Sequence, residues 1–239
     1  MYGSWVLLVI LFISSIPIIA VYIWLRIVKY DFSLVWFLLV LLTGAAAFFP
    51  ALVFQELLSF FNVTQNRSAL FFEFFIRVAL TEELSRLLVL LIFFWISKKV
   101  SKTILVKPDE GLEQPLAISV IKKGTATGLI AGLGFSILES ARYAASSIDI
   151  SVLLLRFFTA ALHGACGSRI GAAIVMFPGS PAKALLRIIT ATAIHGVYNF
   201  LVAIPGIPSI AAFFIAISAF IPAILSIRDT PGNTPLTNS

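Results

Sequence analysis

Between residues 4 and 227 the chain is a succession of apolar runs, each long enough to cross a bilayer, with short polar or Pro/Gly-marked breaks between them. Runs of this kind leave few folds open. A spanning segment must satisfy its own backbone N–H and C=O groups, and about 20 apolar residues do so as a helix. Seven runs meet the description, at 4–25, 33–61, 68–97, 119–147, 151–177, 183–203 and 207–227. Several exceed the minimum length, so tilt or extension beyond the hydrocarbon is expected. The second run contains Pro50 and Glu56 and is expected to dip or break. With 60% hydrophobic and 12% charged residues and a mean hydropathy of +1.05, the composition is that of a polytopic membrane protein.

The expected fold is therefore all-α: one membrane-embedded helical bundle of about seven spans over 1–227, followed by a short polar tail at 228–239. The cations set the orientation. Arg26 and Lys29 follow the first run, and Lys98, Lys99, Lys102, Lys107, Lys122 and Lys123 surround the third loop. Lys183 and Arg187 open the sixth run and Arg228 follows the seventh, whereas only Arg67 falls in a loop on the other side. By the positive-inside rule the N-terminus is outside and the C-terminus cytoplasmic. The first run has no basic flank before it and no small-residue cleavage site after it, and reads as a retained span. The net charge of +6 is spread over these loops rather than clustered with aromatics, which argues against a nucleic-acid partner. Cys166 is the single cysteine, so no intrachain disulfide forms.

Against this apolar background the ionisable residues inside the runs stand out, because a charge at bilayer depth costs several kcal/mol unless it faces a partner or cavity. Glu82, Glu83 and Arg86 lie on the third run, Glu139 and Arg142 on the fourth, Arg156, His163 and Arg169 on the fifth, and His195 and Asn199 on the sixth. At about 1.5 Å per residue, Glu82, Glu139, His163 and His195 all fall roughly 18 to 23 Å from their own helix starts. Four spans thus bring two acids and two imidazoles to similar depths. Arg86 is one turn from both Glu82 and Glu83 and can bond either, and His195 and Asn199 share a helix face. Gly124, Gly128 and Gly132 on one run, and Gly164, Gly167 and Gly171 on the next, are small-residue stripes that let helices approach closely.

Carboxylates and imidazoles converging in a dry pocket suit the activation of water. One route uses a glutamate as base, with a histidine and an amide donating to the oxyanion. Another places zinc on the two histidines and a glutamate, with a second glutamate as base. A proton-coupled transporter and a non-catalytic membrane scaffold are the rival readings. Arg156 and Arg169 read as structural cations, Glu56 and Glu73 as interfacial or pairing residues, and Cys166 as packing.

The segments TEELSR with Glu82 and Glu83, GLGFSILES with Glu139, RFFTAALHG with Arg156 and His163, and HGVYN with His195 and Asn199 resemble the PrsW family of intramembrane proteases, which is related to the CAAX prenyl protease group. The resemblance covers roughly residues 75 to 203, with the core at about 68–203. It implies an integral membrane endopeptidase of a prokaryotic cytoplasmic membrane that hydrolyses a membrane-anchored protein substrate. By the same resemblance Glu82 or Glu83 is the water-activating base, His163 and His195 hold water or metal, Asn199 donates to the oxyanion, and Glu139 is a further acid or ligand. Arg86 and Arg156 support the site. The implied metal set is His163, His195 and Glu139 or Glu83. This chain departs from the family pattern at Arg86, where lysine is usual, and at Ser140, where asparagine is usual.

Overall fold

The computed structural model describes residues 3–59, 67–100, 114–146, 150–203 and 209–228. Apart from Arg228, the expected polar tail lies outside these residues, as do Lys102 and Lys107. Every regular element among them is helical: α1 (Gly3–Ile27), α2 (Leu34–Ala46), α3 (Phe48–Leu58), α4 (Arg67–Phe71), a π-helical segment (Phe72–Leu80), α5 (Thr81–Val100), α6 (Gln114–Ser146), α7 (Ile150–Met176), α8 (Pro181–Ala203) and α9 (Ser209–Arg228). Because α2 and α3 meet at Ala47, and α4, the π segment and α5 run on without interruption, these elements form seven helical stretches among the described residues. Three of them, Leu34–Leu58, Pro181–Ala203 and Ile210–Arg228, are long and apolar enough to cross a membrane. A further apolar helix, Leu11–Ile27, is shorter.

The break expected in the second run falls at Ala47, and Pro50 explains it. Proline has no N–H to return to the carbonyl four residues back, and its ring crowds that carbonyl. The Ala47 N–H is shared between the carbonyls of Thr43, at 3.3 Å, and Gly44, at 3.1 Å. The chain then restarts as α3, which carries Gln55.

At the centre, α6 is buried on every side from Gly124 to Ser136, as befits a helix with no polar face over that length. It lies between α7 and α2 at backbone contact with both. A Cβ added at Gly128 would overlap the Gly167 carbonyl, one at Gly132 the His163 carbonyl, and one at Gly171 the Gly124 carbonyl. On the other side a Cβ at Gly44 would overlap Ala131, and one at Gly134 the Leu41 carbonyl. Lipid offers helices no hydrophobic drive to associate, so close packing of this kind supplies much of the attraction. Gly164, also in the stripe, is different: its Cβ would meet only side-chain atoms of Leu129, Phe220 and Leu133, at 3.1 to 3.4 Å.

The exterior is apolar in the manner of a lipid-facing surface. Phe12, Leu42, Trp95, Leu186 and Phe214 are all more than half exposed. A soluble protein would not leave this much contiguous apolar area in water.

Gly128→Val is expected to destabilise the protein by about 3 kcal/mol or more, because the α6 and α7 backbones must separate. Gly164→Ala should cost under about 1.5 kcal/mol, since flexible side chains can shift. Thermal unfolding of both variants in detergent micelles checks this, and equal shifts would contradict the backbone-contact account.

Candidate functional site

The site begins where the π segment ends. A π-helix bonds i to i+5, and its wider turns rotate whatever follows relative to a straight α-helix. The segment closes at Thr81, whose hydroxyl lies 2.6 Å from the Arg77 carbonyl and 2.9 Å from that of Val78. Glu82 and Glu83 follow in the first turn of α5. The uniform helix expected over 68–97 gave no hint of this irregularity, because phenylalanine-rich FEFFIRVAL carries no breaker. Gly196 on α8 packs against the Phe75 ring so tightly that a Cβ would overlap it. That contact brings the neighbouring His195 up to the two glutamates.

From there a single chain of polar contacts crosses the bundle. Gln55 Nε2 donates to Glu82 Oε1 at 2.9 Å. Glu82 Oε2 lies 3.6 Å from His195 Nε2, and it is buried without a hydrogen-bond partner. His195 Nδ1 bonds Glu83 Oε1 at 2.8 Å, while Glu83 Oε2 accepts from Arg86 Nη1. Arg86 Nη2 donates to His163 Nδ1 at 3.0 Å, and His163 Nε2 bonds Glu139 Oε2 at 2.8 Å. The guanidinium also lies over the Phe135 ring, 4.6 Å from its centroid. The two imidazoles stand perpendicular, with centroids 4.9 Å apart. Glu83, Arg86 and His163 are fully buried, and Glu82 and Glu139 are 4% and 8% exposed.

Donor chemistry assigns the protons. A guanidinium cannot accept a hydrogen bond, so His163 Nδ1 must. A neutral His163 therefore carries its proton on Nε2 and donates it to Glu139. A carboxylate accepts only, so His195 donates from Nδ1 to Glu83, and a neutral His195 keeps a lone pair on Nε2. That lone pair faces Glu82 Oε2, also an acceptor. Two acceptors facing each other require a proton, a metal ion or the hydrogens of a water between them.

Ligand atoms of Glu82, His163 and His195 all lie within 4.8 Å of one another. The donor set suits a divalent metal: one carboxylate oxygen and two imidazole nitrogens, with His195 already held through its other nitrogen by Glu83. His163 would have to release a present partner, Arg86 at Nδ1 or Glu139 at Nε2. The expected third ligand was Glu139 or Glu83; Glu82 is the carboxylate grouped with both histidines, while Glu139 bonds His163 and Glu83 bonds His195.

Glu82, Glu83, Arg86, Glu139, His163 and His195 are thus brought together. Asn199 lies on α8 one turn beyond His195 and is half-buried, and among the described residues none of the cluster's hydrogen bonds reaches it. Arg156 is on the α7 backbone, and its side chain lies outside the described set. Arg169 donates from Nη1 to the carbonyls of Ala165, at 2.9 Å, and Ala219, at 3.3 Å. Glu73 pairs with Arg77 at 2.7 Å, and Cys166 is buried, with its sulfur 3.5 Å from the Ala191 carbonyl. Ser140, at the second departure from the family pattern, has a buried hydroxyl without a partner.

Sequence reasoning missed Gln55 and Phe135. Gln55 had a faint signal: it is an uncharged amide inside an apolar run, beside Glu56, which drew the notice instead. Its side-chain carbonyl also lies 3.5 Å from Arg142 Nη1, and its backbone carbonyl accepts from Arg77 Nε at 3.1 Å. Phe135 had none, as one of 22 phenylalanines.

A family model described as PrsW family intramembrane metalloprotease matches residues 33–227. No curated protein and no solved structure matches the chain.

Arg86→Met should destabilise the protein by about 3–5 kcal/mol, because Glu83 would be left as a buried charge without its cation. Arg86→Lys keeps the charge and loses the simultaneous hold on His163, so its loss of stability should be smaller. Unfolding midpoints of the two variants in detergent test the ion pair, and a Met variant as stable as the Lys variant would refute it.

Proposed function

The chain belongs to the PrsW family of intramembrane metalloproteases, and from that premise we propose that it is an endopeptidase that hydrolyses a peptide bond of a membrane-anchored protein at the Glu82–His195–His163 centre. It is an integral membrane protein and a hydrolase by family. The observation that carries the proposal is the pair of facing acceptors, Glu82 Oε2 and His195 Nε2, buried where no bulk water reaches. Transport or scaffolding, the rival readings of the sequence, is not favoured by a protease family match.

In this reading Glu82, His163 and His195 hold a divalent metal such as zinc, which when bound supplies Lewis acidity toward the scissile carbonyl and acidifies water. The chain's own residues do the rest. Gln55 pins Glu82 Oε1 and so aims Oε2 at the centre. Glu83 keeps the His195 proton on Nδ1, and Arg86 fixes Glu83. Glu139, against His163, takes the proton of water as the water oxygen attacks the carbonyl carbon. It then returns that proton to the amide nitrogen as the C–N bond breaks. Asn199 donates its side-chain N–H to the oxyanion. Arg156 supports α7 from its N-terminal half. The bundle crosses a prokaryotic cytoplasmic membrane seven times as one domain, with the N-terminus outside and the lysine-rich segment 98–123 within. The exposed apolar side chains of α1, α2, α3, α5, α8 and α9 form the surface it presents to lipid.

Purified without chelator, the protein is expected to carry about one metal ion per chain and to cleave single-span peptides reconstituted with it. Chelation should remove both metal and cleavage, and zinc should restore them. Glu82→Gln and His195→Gln should each lower the turnover number by about 10³-fold or more while the protein remains folded. Full cleavage by both variants would refute the site. Cleavage that survives complete metal removal would instead assign the base to Glu82 Oε2.

A further inference from the structure

Along α8, two cavities share Arg169 of α7 as a wall. The first, of about 310 Å³, is lined by Arg169, Lys183 and Arg187 together with Met176, Leu186 and Thr190. The second, of about 340 Å³, continues between α8 and α9 past Ala193, Val197, Ile215 and Ala219. One end is cationic and the other is almost wholly apolar.

Three cations facing one space need an explanation. Among the described residues no carboxylate stands within ion-pair distance of Arg169, Lys183 or Arg187. Arg169 uses Nη1 on two backbone carbonyls, and a guanidinium has further donors. Lys183 lies in the first turn of α8 and Arg187 one turn deeper, while Arg169 lies about 10 Å from the end of α7 by helical rise. These depths match the boundary between headgroups and acyl chains, where lipid phosphates come within reach of Lys and Arg side chains. The groove on the opposite side, among Leu91, Trp95, Ile174 and Ile188, is larger at about 440 Å³ but has no charged residue in its wall. Nothing there selects an anion.

We propose that the trough along α8, flanked by α7 at its cationic end and by α9 at its apolar end, binds one anionic phospholipid, its phosphate held by Arg169, Lys183 and Arg187 and one acyl chain lying along Ala193, Val197 and Ile215. Charge complementarity selects the phosphate, and the apolar continuation selects a lipid over a free anion. The site is separate from the hydrolytic centre, but it grips the same helix that carries His195, two turns beyond Arg187.

The test uses the full-length protein in maltoside micelles, with the unfolding midpoint followed as phosphatidylglycerol, phosphatidylcholine or inorganic phosphate is added. Phosphatidylglycerol should give a saturable rise, and the other two should not. The double variant Lys183→Gln/Arg187→Gln should raise the half-saturating lipid concentration by about tenfold or more. Ala193→Trp, which keeps every charge and fills the apolar part, should abolish the rise and the retained lipid adduct in native mass spectrometry. If the double variant does not fold, Ala193→Trp alone decides. An equal rise with phosphatidylcholine, a full rise with inorganic phosphate alone, or a wild-type response from Ala193→Trp would each overturn the proposal.

Discussion

The Glu83 carboxylate is the contact on which the rest of the site depends. Neither of its oxygens is free: Arg86, one turn along α5, takes one, and His195 of α8 takes the other. At a buried carboxylate, losing the Arg86 cation leaves a charge that the His195 N–H alone does not neutralise. The register of α5 against α8 is held by that requirement. Through Arg86 the tie runs on to His163 of α7, and through His163 to Glu139 of α6. A buried polar network is stabilising only when nearly every member is satisfied. Two atoms of the network lack a partner, Arg86 Nε and Glu82 Oε2, and of these the Glu82 oxygen faces the His195 ring.

Such contacts need helices close enough for side chains of ordinary length to meet. The glycines of α6 and α7 supply that closeness by letting the backbones touch, and Gly132 does so directly against the residue that presents His163. The same helix meets α2 through Gly44 and Gly134 on its other side. A wall built this way has little room to relax, so the imidazole and Glu139 are positioned before any substrate arrives. Preorganisation is the property a hydrolytic centre needs most, since donors and acceptors that must reorient contribute less to the transition state.

Two departures from regular helix lie beside this rigid pair, and both help to build the site. The break at Ala47, forced by Pro50, redirects the chain so that Gln55 reaches Glu82. The π segment from Phe72 to Leu80 turns the start of α5 so that Glu82 faces His195 while Glu83 is bonded by both Arg86 and His195. Adjacent residues on an ordinary helix point about 100° apart, and here that divergence gives two neighbouring glutamates different partners.

By itself the sequence determined that the chain is an all-helical membrane protein, that its acids and histidines lie at similar depths, and which family it belongs to. Those conclusions rest on local quantities: run length, hydropathy, spacing along one helix, and motif order. It also placed the α6 and α7 glycines in facing stripes, and it marked the second run as one that would break. Only the tertiary structure decided which partner each carboxylate meets. Arg86 is equally near Glu82 and Glu83 along the helix, and no local pattern says that it bonds Glu83 while Gln55, 27 residues earlier, holds Glu82. Nor could spacing show that Glu82 is the carboxylate grouped with both histidines. Partner choice inside a bilayer depends on helix rotation and on contacts between distant segments. Here rotation is set by a π turn and by glycine packing, neither of which has a periodic signature in the apolar runs.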